Sequence, residues 1–308
     1  MTQSQKASGF RSLMGGVALA IATLGLPSQP AFAQVTAFKQ AVAESASADR
    51  DIAAFYRETG FAPIWTGDSD IHRARRAALL QAVSRASLYG LPADKYHPDV
   101  LRGKLASVQG ERALGALEVE LSETLVLFSR HMQTGVLNPQ KVTNGIKREA
   151  PLRDPITYLR DFASGDPDAF FRTIVPTSAE YTRLIRAKFE LERVVASGGW
   201  GALVQTDKVS PGDSGAAVVA LRNRLIAMGY LDRSNSATYD NALQKAVQDY
   251  QVDQGLEPDG VAGAATLRAI NVPASERLKS VLVAMERERW FNRPRGARHV
   301  LANIPDFK

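Results

Sequence analysis

This sequence predicts a mainly α-helical fold, made of a larger helical region, a small three-helix module and a short apolar β segment at the C-terminus. Three observations predict it. Apolar residues recur at three- and four-residue spacing along most of the chain beyond residue 50. Glycines and prolines interrupt those stripes where helices should stop. Residues 212–271 form a complete set of stripes, caps and turns.

The first 33 residues stand apart from the rest. Lys6 and Arg11 precede an apolar run over residues 13–26, and Ala31-Phe32-Ala33 is an A-x-A cleavage site. That is the pattern of a secretory signal peptide. The apolar run is too short for a comfortable membrane span, although a retained anchor is the alternative. No other segment is apolar enough to span a bilayer. Cleavage after Ala33 removes two basic residues and no acids, lowering the net charge from +6 to +4. This mild basic excess suits an anionic wall polymer or membrane surface. It is too dispersed for a nucleic-acid partner, which calls for a clustered basic face. Cysteine is absent from the 308 residues, which excludes disulfides, a lipid-attachment cysteine, thiolate metal sites and a thiol nucleophile in them.

The elements follow in order. Residues 51–58 read as a helix. Pro63 then restricts Ala62 to extended backbone, so residues 61–65 read as a short strand or extended link. Phe55, Tyr56, Phe61 and Trp65 read as core, with a sugar-stacking platform as the rarer alternative. Residues 75–89 form an amphipathic helix through Leu79, Leu80, Val83 and Leu88, ended by Gly90 and Pro92. Tyr96-His97-Pro98 starts a new turn. A long helix over 114–132 carries Leu117, Leu121, Leu125, Phe128 and Met132 on one face and stops at Gly135 and Pro139. Shorter helices cover 154–162 and 166–175. Another over 182–197, with Leu184, Ile185, Phe189 and Leu191, ends at Gly198-Gly199. Residues 205–211 are a polar linker.

In the module, Val218, Leu221, Leu225 and Met228 make one stripe, with Ser214 as its expected N-cap and Gly229 as its left-handed end. Asp240 caps a second helix with Leu243, Val247 and Tyr250, and Gly255 ends it. Pro258-Asp259-Gly260 is turn chemistry. Thr266, Leu267 and Ile270 fit a short third helix.

Candidate chemistry is sparse. None of the four histidines, His72, His97, His131 and His299, has metal-ligand spacing with another ligand type. His131 reads as a helix-surface or packed residue. Glu118, Glu120 and Glu123 cluster on the long helix, where a buried glutamate could act as the general acid of a wall hydrolase. A solvated charged face that also favours the helix dipole is the simpler reading. Arg287, Arg289, Arg293, Arg295 and Arg298 read as a solvated face, with contact to an anionic glycan or lipid as the alternative. No serine with a His-base pattern and no phosphate-cradling loop is visible, and no cofactor or metal is implied.

The module resembles the peptidoglycan-binding domain type 1 family through Gly212, Gly215, Val218, Leu221, Leu225, Gly229-Tyr230, Tyr239, Ala246-Val247, Tyr250-Gln251, Gly255-Leu256, Asp259-Gly260, Gly263, Thr266-Leu267 and Asn271. The strings F-Y-R-E-T-G-F-A-P-I-W-T-G-D, L-Y-G-L-P-A-D-K-Y-H and S-R-H-M-Q-T-G-V-L-N-P are similar to the scaffold domain of large periplasmic L,D-transpeptidases. The segment 276–290 is similar to the helix those enzymes carry after the binding module, and 298–307 to the first strand of their catalytic domain. That catalytic domain would carry a Ser-His-Gly-Cys-type motif, with a thiolate as nucleophile and the histidine as its base. No such motif occurs in these residues, so no catalytic residue is carried over.

The resemblance implies a signal peptide at 1–33, a helical scaffold at 34–204, a peptidoglycan-binding domain at 205–272, a returning helix at 273–296 and, at 297–308, the start of a truncated catalytic domain. An unpaired apolar strand there would expose its ladder groups, which supports truncation. The implied partner is peptidoglycan in the periplasm, in cross-linking and wall biogenesis, with other wall enzymes as further partners. At the exposed ends of the module, Tyr230 and Tyr239 are the expected stacking residues and Asp259 and Thr266 the expected hydrogen-bonding ones. Packing and turn roles are the alternative for all four.

Overall fold

The computed structural model describes residues 36–142, 149–292 and 298. The expected signal peptide with Ala31 and Ala33, and the C-terminal β segment, lie outside the described residues. The helices are α1 (Ala37–Ala46), α2 (Arg50–Glu58), α3 (Asp70–Ser84), α4 (Pro98–Ser107), α5 (Glu111–Thr134), α6 (Pro139–Val142), α7 (Pro155–Ser164), α8 (Pro167–Thr173), α9 (Ala179–Ala196), α10 (Ala216–Ala227), α11 (Asn241–Asp253), α12 (Ala264–Ile270) and α13 (Ala274–Arg289). Single 3₁₀ turns cover Ala86–Tyr89 and Ala93–Tyr96. No strand occurs among the described residues, where two isolated antiparallel bridges are the only β pairing.

Two hydrophobic cores divide the structure. The larger is organised around α5, whose Leu117, Leu121, Leu125, Phe128 and Met132 are all buried, as their spacing predicts. Val119 and Val126 are buried as well, so α5 is covered on more than one side by α1, α4 and α7. Each such side chain contributes about 2 kcal/mol by leaving water. The smaller core joins α10, α11 and α12.

Residues 61–65 do not form a strand. Phe61 takes a left-handed φ of 60°, and the chain bends through to residue 68. This loop is strapped from two sides. From α3, the Arg75 guanidinium donates to Ile64 O at 3.3 Å and that of Arg76 to Trp65 O and Gly67 O. From α5, Glu118 accepts from the backbone N–H groups of Ile64 (2.6 Å), Trp65 and Thr66 (2.8 Å), from the Thr66 hydroxyl and from the Tyr56 hydroxyl. Trp65 thereby reaches the core, where it stacks on Phe162 and its indole N–H donates to Ser122. Phe55 and Tyr56 are buried too, so these aromatics are core.

Two further expectations are corrected. Leu88 is 42% exposed, because α3 ends at Ser84 and the following 3₁₀ turn shifts the phase of the stripe. On α9, Leu184, Ile185 and Leu191 are only half-buried and Phe189 is exposed. That helix packs against α13, and its buried residues are Tyr181 and Lys188.

His131 is packed. It is 5% exposed and shares a 2.9 Å hydrogen bond with the Tyr96 hydroxyl. Burial, with Arg130, Lys95 and Arg289 nearby, pushes its imidazole down to about 4. In an unfolded chain the ring protonates near 6.5. The unfolded state therefore binds more protons between those values, so stability is complete above about pH 6.5 and falls as the pH drops toward 4. The loss should be about 2 kcal/mol after allowance for solvent screening. Denaturant titrations at pH 7 and pH 4.5 should show it, and His131→Asn should flatten the difference. An unchanged difference in that variant would assign the acid sensitivity elsewhere.

Candidate functional site

The small module is tied together by its polar groups as much as by its core. Ser214 pairs with Thr238 in an antiparallel bridge instead of capping α10, whose N-cap is Gly215 with no side-chain bond. Gly212 N–H donates to Tyr239 O and Tyr239 N–H to Asp213 O at 2.7 Å, so the entry segment is held by the loop before α11. Val209 and Ala262 form the second bridge, at 3.0 and 3.1 Å. Asp240 caps α11 as expected, accepting from Leu243 N–H at 2.9 Å.

Sequence reasoning missed two buried arginines on α10. Arg222 donates to Thr238 O and Asp240 Oδ2, both at 2.8 Å. Arg224 holds the carbonyl of Ile270 through Nε and Nη2 and that of Gly201 through Nη1. Asn271 pairs with the backbone of Val204 in both directions at 3.0 Å. Arg224 and Asn271 thus fasten the linker from α9 to the end of α12. Their charge and polarity made burial illegible, although the Asn in the motif was a signal.

The four expected binding residues separate. Tyr239 is buried and its hydroxyl donates to Gly260 O at 2.8 Å. Thr266 is buried and accepts from Gln251 Nε2 at 3.1 Å. Asp259 is exposed, but its Oδ1 accepts from Gln251 Nε2 and Val261 N–H. Those bonds hold its carboxyl below the usual range. Gln251 is the centre of this set, since its Oε1 also accepts from Gly260 N–H at 2.9 Å. Three of the four residues therefore build the turn at 259–261. Tyr230 stands elsewhere, half-buried, edge-on to Tyr250 and bonded to Asp253 at 2.8 Å.

Tyr230 lines a cleft of about 550 Å³ between the module and the α9–α13 pair. Trp200, Met228, Tyr250, Gln254 and Arg277 line it too. Two glycine-ended helices deliver the aromatics. Gly198 (φ 97°) ends α9, with Gly199 N–H bonded to Val194 O, and turns the chain to bring in Trp200. Gly229 (φ 86°) does the same after α10, where Tyr230 N–H bonds Leu225 O. On the far wall, Arg277 donates to Gln254 Oε1 at 2.8 Å and to Ala269 O at 3.2 Å.

No hydrolase site forms from the glutamates of α5. Residues 118 and 120 point about 200° apart around the helix. Glu118 is fully buried, Glu120 pairs with Lys104 at 2.6 Å, and Glu123 is exposed. Partial desolvation of its carboxyl, with Asp49 and Glu120 nearby, raises the pKa of Glu123, but Glu120 is paired with Lys104 and Asp49 caps α2, so no acid–base pair is assembled. Among the described residues, no three His, Cys, Asp or Glu side chains are grouped to hold a metal ion. The expected solvated arginine face is corrected at Arg289. Arg289 is fully buried and donates to Tyr89 O and the Tyr181 hydroxyl. Arg287 and Arg298 are exposed, and Arg293 and Arg295 lie outside the described residues.

A large helical domain is thus joined to a small three-helix module, with a cleft lined by aromatic, apolar and polar side chains between them. Residues 50–187 match the family described as the scaffold domain, and residues 214–270 match the putative peptidoglycan binding domain. The chain therefore carries a scaffold domain followed by a peptidoglycan-binding domain, as expected of the N-terminal part of a murein L,D-transpeptidase, and its module binds peptidoglycan. No curated protein matches the chain. Among the described residues, no helix is long and apolar enough to cross a membrane.

Proposed function

We propose that these residues are the non-catalytic, wall-positioning part of an L,D-transpeptidase acting in the periplasm on peptidoglycan cross-links. The observation that carries this is the order of parts. A scaffold family match at 50–187 precedes a peptidoglycan-binding match at 214–270, and α13 then returns to the scaffold. The sequence over 276–307 continues in the same order. With no cysteine in the sequence, these residues supply no thiolate, and their contribution is to hold the wall polymer near an acyl-transferring domain or a partner enzyme. The cluster on α5 gives a hydrolase reading no support, because Glu118 already accepts five donors and faces no cleft.

The mature chain should pellet with purified sacculi, and a variant lacking residues 205–272 should stay in the supernatant with the larger core still folded by circular dichroism. Equal pelleting of both chains would place wall binding outside the module.

A further inference from the structure

We propose that the cleft between the module and the α9–α13 pair binds an N-acetylated amino sugar of the glycan strand, with Trp200 as the stacking platform. The proposal rests on the peptidoglycan-binding reading of residues 214–270 and adds which part of the polymer is held, and by which residues. At about 550 Å³ the cleft is within the size range of small-ligand sites.

The rings in the cleft are not equivalent. Tyr250 is buried beneath Tyr230, and the Tyr230 hydroxyl is committed to Asp253. Trp200 is half-buried and has neither a ring partner nor an indole hydrogen bond among the described residues. It offers both an open π-face and a free N–H donor.

The polar groups are donors held in place. Arg277 Nη2 is fixed by Gln254 and Ala269, which leaves Nε and Nη1 for an acceptor. Ser280 adds a hydroxyl, which donates to Glu276 O; the rest of the wall is apolar, from Leu191, Met228, Val281 and Ala284, and no carboxylate lines it. An acetamido group matches this set: its carbonyl accepts from the guanidinium or indole, its methyl enters the apolar wall, and the sugar's C–H face lies on Trp200. A stem peptide brings several carboxylates to a cleft with one cation and is the poorer match.

The cleft extends beyond the matched module, because Trp200, Leu191 and Arg277 lie outside residues 214–270. Helices α9 and α13 and the turn after α9 therefore supply part of the binding site.

Calorimetric titration of the mature chain with chitotetraose, a tetramer of N-acetylglucosamine, tests this. Saturable binding is expected. Trp200→Ala and Ser280→Trp, the latter filling the mouth from an exposed position, should each weaken it about tenfold or more with melting unchanged. Trp65 and Trp290 are buried, so a fluorescence change on binding in the parent chain should vanish in Trp200→Phe. A chain that pellets with sacculi but ignores chitotetraose overturns the sugar proposal and leaves the wall-binding reading intact. Full affinity in both cleft variants, or displacement from the wall by a stem tripeptide alone, also overturns it. A chain that binds neither sacculi nor oligosaccharide overturns both.

Discussion

Replacing Glu118 by alanine is expected to lower the stability of the helical domain by about 4 kcal/mol. The carboxylate is fully buried and takes three successive backbone N–H groups, from Ile64, Trp65 and Thr66, together with two hydroxyls. Alanine would strand those donors away from water and release the loop that carries Trp65 into the core. Glu118→Gln keeps an acceptor at one position but puts an NH₂ group against donors at the other, so about half that loss is expected. Urea unfolding followed by Trp fluorescence would measure both. A loss under about 1 kcal/mol for the alanine variant would mean that the loop is held mainly by the arginines of α3. Wall binding should survive while the scaffold stays folded, because Glu118 touches neither the module's core nor the cleft.

Replacing Arg289 by alanine should cost about 3 kcal/mol and loosen α13 from the scaffold. Its guanidinium is fully buried, donates to Tyr89 O and to the Tyr181 hydroxyl at 2.8 Å, and lies over the Tyr181 ring. Glu286 is 3.6 Å away, and itself accepts from Leu137 N–H at 2.7 Å and Trp290 Nε1–H at 3.3 Å. Removing the cation leaves those acceptors and an adjacent carboxylate uncompensated. Both bonds leave the single nitrogen Nη2, so Arg289→Lys should recover part of the loss, the packing of the planar guanidinium over the Tyr181 ring being what lysine does not restore. Thermal unfolding would register the loss, and limited proteolysis would show faster cleavage around α13. Recovery of full stability by lysine would reduce the joint to a simple charge effect.

These two residues also show where sequence reasoning stops. The stripe of α5 and the caps at Asp240, Gly229 and Gly255 were legible because each depends on neighbours within a few positions. Glu118 sits on α5 itself and Arg289 on α13, yet their partners are 52 to 54 and 200 residues away for the loop and Tyr89 bonds. A charged side chain at such a position reads as a solvated face, and burial follows only from the tertiary partners. Ser214 failed as a cap for a related reason, since a bridge to Thr238 claimed its backbone. The cleft is assembled from α9, the module and α13, so no local pattern announces it. Tyr230 is visible through the family motif, while Trp200 belongs to no stripe, cap or motif in the sequence.

The pairing of α9 with α13 has a mechanical consequence. Tyr181 and Ser178, at the start of α9, meet Arg289 and Glu288, at the end of α13, so the two helices run in opposite directions. The 18 residues of α9 extend about 27 Å away from that joint. Tension arriving from the polymer is thus shared by two covalent tethers pulled side by side along their axes. Pulled this way the pair loads its shared interface in shear, and the polar knot around Tyr89 lies at the far end of that interface.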